Sequence, residues 1–381
     1  MALSLTDSLR PWLASMEGVD WLNVRANGLY SMWYLRNIRL RPELLRAAVS
    51  FWDPEVHVFR FGDQELCLTV EEFRAYLGGF GSGEVIIPPV SESIYRVLAA
   101  ALGLGDGAAR YLVRDGRLNV MRLIELFSPP RDLADVTYQT RCMTALCMCL
   151  LAAYLLVLSA RHTSSALVSV AVHVEARKDA IPMVLAETLI GLDKVCFEEI
   201  EAFGGSALLL QVGFSLSSPF PGFLTFSFYL NTRLGFLKFL TCFLSSHRFG
   251  FAIRSMAEWV DFFRRQRAET ISWRCRWLGL PPMTVHYMGP QWVVLAGLGA
   301  FTFYIRYRIQ RQLGLRQEAP AEVLVDVVLP LFRHSVLCHY QRFWRMRKVT
   351  DAHPYPSVAV CGSYRKWLRR EIAARAGAQG N

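Results

Sequence analysis

His334, Cys338 and His339 come nearest to a reactive spacing in this 381-residue chain. At i and i+4, His334 and Cys338 share one face of a helix, and an imidazole with a thiolate there is the start of a zinc site. Ser335 stands where a zinc-protease helix carries its Glu, and no third ligand follows at a family spacing. The trio therefore reads as surface or packed side chains of a helix. The acid pairs Glu71-Glu72 and Glu198-Glu199 are adjacent in sequence, so on a helix they point to different sides and make poor general acid–base couples. The glycine run at 78–83 (GGFGSG) has no Lys or helix directly behind it and reads as a helix stop and turn, not a phosphate loop. There is no GxSxG nucleophile elbow. The five lysines (Lys178, Lys194, Lys238, Lys348 and Lys366) lack the phosphate cup that Schiff-base chemistry requires. The expectation is a non-enzymatic chain without catalytic, cofactor or metal residues. An enzyme of unknown reaction stays open as an alternative.

Charge is the stronger signal. Residues 251–381 hold 20 Lys/Arg against 8 Asp/Glu, whereas residues 1–250 hold 22 against 24. Three segments of this basic third interleave arginine with aromatics: FFRRQR (262–267), FYIRYRIQRQ (303–312) and YQRFWRMRK (340–348). Guanidinium groups neutralise phosphates while aromatic rings stack on bases, which makes Arg264, Arg265, Arg267, Arg306, Arg308 and Arg311 the candidate nucleic-acid-binding residues. Protein partners are the other class this basic third would serve. The plainer reading is a set of amphipathic helices with aromatics packed inward and arginines solvated. A GC-rich coding sequence would also produce 37 Arg against 5 Lys. Both readings stay open on the sequence.

The elements that must position these residues are mostly helical. Arg41–Trp52 reads as a helix with Pro42 in its first turn. Val56–Phe61 alternates as a strand, Gly62-Asp63-Gln64-Glu65 supplies the turn and Leu66–Leu68 starts the return strand of a β-hairpin. Thr69 with Glu72 forms a capping box that opens a helix through Phe73, Tyr76 and Leu77. Two helices follow over 91–127, separated by a glycine-rich turn at 103–107. Further helices are expected at 142–160, 163–174, after Pro182, after Gly204-Gly205, over 257–278, over the apolar stretch after Gly289-Pro290, and over 321–348 and 362–376. The fold class is mostly α: a single large helical domain over 41–376 behind a helical lead-in at 1–40, with a small hairpin near 56–68 and a weak seam near 213–256. Nine cysteines without a CxxC pair suit a reducing compartment, and the N-terminus has no signal-peptide pattern. The 19 uncharged residues Cys142–Ala160 meet the length of a membrane-spanning helix. Arg141 and Arg161 flank the run on both sides, and its Ala, Cys and Thr content suits a buried helix, so a membrane anchor is kept as the alternative.

Several segments, in order from about residue 40 to 370, resemble the plant mobile domain family, also described as aminotransferase-like and transposon-derived. These are FWDPEVHVFRFGDQELCLTVEEFRAYLGG (51–79), IPMVLAETLIGLDKV (181–195), SALLLQVGFSL (206–216), GPQWVVLAGLGAFTFYIRYRIQRQLG (289–314) and YRKWLRR (364–370). The resemblance implies a plant protein tied to or descended from retrotransposons. Some family members are similar to nuclear proteins needed for silencing and genome integrity, so a nuclear location is implied as well. It carries over no catalytic residue, and the lysines give the aminotransferase description no support.

Overall fold

The computed structural model describes residues 5–15, 32, 35–36, 38, 40–77, 84–87, 93–128, 132, 134–157, 162–197, 203–217, 255–268, 270–271, 273, 283–286, 292–312, 316–319, 334–345, 348–351 and 360–378. It is mostly helical with small antiparallel sheets. In chain order the elements begin with α1 (Leu5–Ser15), α2 (Pro42–Val49), β1 (Trp52–Asp53), β2 (Val58–Phe61), β3 (Gln64–Leu66) and α3 (Val70–Tyr76). Then come α4 (Ile94–Leu102), α5 (Asp106–Leu112), β4 (Val113–Arg114), β5 (Arg117–Asn119), α6 (Val120–Phe127) and α7 (Val136–Leu150), which runs into a π-helical turn at Leu151–Leu155. β6 (His162–Ser164), α8 (Leu167–Glu175), α9 (Ile181–Cys196), α10 (Ala207–Ser217) and α11 (Met256–Arg264) follow. The chain closes with β7 (Met283–His286), β8 (Trp292–Ala296), β9 (Phe301–Ile305), a 3-10 turn at Arg306–Arg308, α12 (His334–Arg345), β10 (Lys348–Asp351) and α13 (Gly362–Ala378).

The chain folds into two compact units, each assembled from separated stretches. One comprises residues 1–38, 77–208 and 296–300; the other comprises 39–76, 209–295 and 301–381. The expected seam near 213–256 lies mostly outside the described residues.

The core of the first unit is α7 with its π turn. All of Cys142–Leu156 except Ala153 is buried, and the segment packs against α4, α6 and α8. Apolar on every side, it is an interior helix. Among the described residues no helix is long and apolar enough to cross a membrane. Val136–Leu150 is a 15-residue α-helix followed by a π turn over Leu151–Leu155, and residues 158–160 of the apolar run lie outside the described residues. Helix α9 lies equally deep, buried from Ile181 to Leu192 except at Ile190. Gly205 meets it at close quarters with φ +78°, where an added Cβ would collide with the Thr188 backbone. Ser206 locks the approach: its N–H donates to Thr188 Oγ1 at 3.0 Å and its hydroxyl to the Tyr154 carbonyl at 2.8 Å. The α9 carboxylate Glu187 accepts the Leu298 N–H at 2.5 Å.

In the second unit β1, β2 and β3 form an antiparallel sheet in which Phe59 faces Leu66, Arg60 faces Glu65 and Phe61 faces Gln64. Phe61, Phe214 and Phe263 pack ring to ring at 4.5–5.8 Å, building the aromatic core that joins the hairpin to α10 and α11. The expected capping box is present: the Glu72 N–H donates to Thr69 Oγ1 at 3.1 Å and the Thr69 N–H to Glu72 Oε2 at 3.2 Å.

Three expected helices are corrected. Residues 113–119 are not helical but turn through Asp115-Gly116, both at positive φ, into the β4–β5 hairpin. The apolar stretch after Gly289-Pro290 is the β8–β9 pair, because WVVLA and FTFYI are runs of β-branched and aromatic residues around the Gly297–Gly299 corner. Helix α11 stops at Arg264 and does not run on to 278.

Candidate polyanion interface

The hairpin places its polar residues by alternation. Arg60 and Glu65 are cross-strand partners, so they share a face of the sheet. The 3-10 turn that ends β9 brings Arg308 onto the same carboxylate. Its Nη1 donates to Glu65 Oε1 at 2.6 Å and its Nη2 to Glu371 Oε2 at 3.3 Å, while its guanidinium carbon lies 4.7 Å from the centre of the Trp367 ring. Arg60 Nη2 stands 3.0 Å from Asp53 Oδ2 and 3.4 Å from Glu65 Oε1. Two guanidinium groups thus meet three carboxylates, and each charge has an opposite neighbour, the condition under which buried ions are tolerated. Burial pushes the Glu65 carboxyl up; Arg308 and Arg60 pull against that, and Asp53 and Glu371 reinforce it. The Tyr364 hydroxyl is pushed up by burial and by Glu65.

Arg311 is held separately. Its Nη1 donates to Gln64 Oε1 at 2.8 Å, its guanidinium lies 3.9 Å from the centre of the Trp273 ring, and its main-chain N–H donates to Gln317 Oε1 at 3.1 Å. One residue on, the Gln312 amide accepts the Cys67 N–H at 2.8 Å and donates to the Cys67 carbonyl at 2.7 Å and to Glu72 Oε1 at 3.0 Å. Burial raises the Glu72 carboxyl to about 7 against the hydrogen bonds from Gln312 and Thr69.

Of the six arginines singled out in the sequence, Arg308 and Arg311 are only 8% and 6% exposed. Their side chains are committed to partners inside the unit. Arg306 is half-buried. Arg264, Arg265 and Arg267 are exposed, the first two sharing Asp261 at 4.0 and 3.7 Å. Surface ion pairs at these distances contribute little and leave the cations accessible. The six therefore do not form one exposed stripe. The sequence reading passed over α13, where Arg365, Lys366, Arg369 and Arg370 are all exposed. Its signal was legible in YRKWLRR: two cation pairs at i, i+4 beside the i, i+4 pair Tyr364 and Leu368.

Cys338 is exposed on α12; the side chains of His334 and His339 lie outside the described residues. Among the described residues no group of three His, Cys, Asp or Glu could hold a metal ion. No family model, no curated protein and no solved structure matches the chain.

Proposed function

We propose that this chain is a non-enzymatic, helix-rich interaction domain of the transposon-derived plant type that its motifs resemble, acting in the nucleus by contact with nucleic acid. One observation carries the reading. Among the described side chains from residue 255 onward, ten cations are exposed against three exposed carboxylates, while the ions buried around Glu65 neutralise one another. Among the described residues the positive excess of the basic third therefore lies outside, where phosphates reach it. The test is fluorescence anisotropy with a labelled duplex of arbitrary sequence. Saturable binding is expected, weakened by replacing Arg264, Arg265 and Arg267 together with Gln. A wild-type chain that binds no duplex at low salt overturns the reading.

A further inference from the structure

Helix α13 places Arg365, Lys366, Arg369 and Arg370 within six residues, all exposed, while Tyr364 and Leu368 are buried and Trp367 is half-buried on the inner side. Its single acid, Glu371, turns toward Arg308. The cations thus have no carboxylate of their own helix beside them on the outer face. Arg365/Arg369 and Lys366/Arg370 stand at i, i+4, where like charges repel on a helix. Arg365 also stands in the first turn of the helix, where the aligned peptide dipoles disfavour a cation. Folding gains nothing from this arrangement, whereas a bound polyanion relieves both penalties.

We propose that the outer face of α13 is a docking surface for the phosphate backbone of duplex nucleic acid, a site that rests on the polyanion reading above and assigns it a place. The four cations cover about 8 Å of helix axis, a length over which duplex DNA carries about five phosphate charges. The aromatics of this helix face inward, so the outer face offers no platform for stacking single-stranded bases. Its exposed described residues beyond the cations are Gly362, Ser363, Ala373 and Ala374, so no bulky apolar side chain is there to enter a bilayer. The inner face is fixed by Arg308 against Glu371 and Trp367, which presents the outer face as a rigid array.

The experiment compares the full chain with the variant R365Q/K366Q/R369Q/R370Q on a 24-base-pair duplex, on a single strand of the same length and on phosphatidylserine vesicles. Each lost phosphate contact lowers the slope of log K against log salt by about 0.9, so the variant slope should be shallower by about 3.6. Between 50 and 200 mM salt the wild-type affinity should therefore fall about 150-fold further than that of the variant. The variant removes a repulsion, so its thermal melt should match or exceed that of the wild type; R365K/R369K should retain the wild-type slope. If the wild type binds duplex and the quadruple variant keeps its slope, the α13 site is wrong and the general reading survives. If the wild type binds no duplex, both fail. Preference for the single strand or the vesicles overturns the assignment of partner.

Discussion

Replacing Glu72 with Gln should remove a pH dependence of stability that the wild-type chain carries between about pH 4.5 and 7. Burial raises the folded carboxyl from its ordinary 4.5 to about 7, against the hydrogen bonds from Gln312 and Thr69. In that interval the folded chain holds a proton that the unfolded chain has already released. Stability then changes with pH in proportion to protons bound by the unfolded state minus those bound by the folded state, which is negative here. The contribution is fully favourable below pH 4.5, declines through the interval and is level above pH 7. A difference of about 2.5 pH units corresponds to about 3 kcal/mol; partial solvent access reduces this to roughly 2 kcal/mol. Glu65, Glu71 and Glu187 are shifted the same way by burial, but they remain in the variant and cancel in the comparison. Urea denaturation at pH 5, 6, 7 and 8 reads the effect. The wild type should lose about 2 kcal/mol more than Glu72→Gln between pH 5 and 8. Parallel profiles would refute the buried, neutral carboxyl at the start of α3.

Three further outcomes follow from the packing and the charges. Gly205→Ala forces an L side chain to φ +78° against the α9 backbone and should cost about 2–4 kcal/mol, seen as a lower melting temperature. Arg308→Met leaves the buried Glu65 without its nearest cation and should destabilise by about 3–5 kcal/mol. Adding Glu65→Gln should recover part of that loss in denaturant titration. At Cys361, partial burial opposes the thiolate, but hydrogen bonds with Ser363 Oγ at 2.9 Å and from the Tyr364 N–H at 3.4 Å outweigh it and lower the thiol pKa. Iodoacetamide alkylation should therefore show a pH midpoint below that of an ordinary thiol, shifted upward in Ser363→Ala, while buried Cys67 stays unreacted in the folded chain.

The parts of the fold that could be read from the sequence are those set by neighbours in the chain. The hairpin around Gly62–Glu65 and the Thr69–Glu72 capping box need only a few consecutive residues, and both are present, with a tighter turn than expected because Gln64 and Glu65 already pair in β3. Asp115-Gly116 carried an equally local turn signal that the helical reading of 91–127 overlooked. The β8–β9 pair was hidden because short apolar runs do not by themselves distinguish strand from helix. The fate of each arginine was not local at all. Arg308 and Arg311 differ from Arg264 and Arg265 because Glu65 and Gln64, more than 240 residues away in sequence, fold against them. No periodicity within 303–312 encodes that. The α13 face was legible as a spacing, but its exposure depended on which side Tyr364 and Leu368 would bury.

Arginine-selective modification by phenylglyoxal, with and without bound duplex and read by mass spectrometry, tests the central claim most directly. Arg365, Arg369 and Arg370 should react in the free chain and be protected by duplex, while Arg308 and Arg311 stay unmodified in both states. Ready modification of Arg308 and Arg311 in the folded chain, or unchanged reactivity of the α13 arginines under saturating duplex, would contradict it.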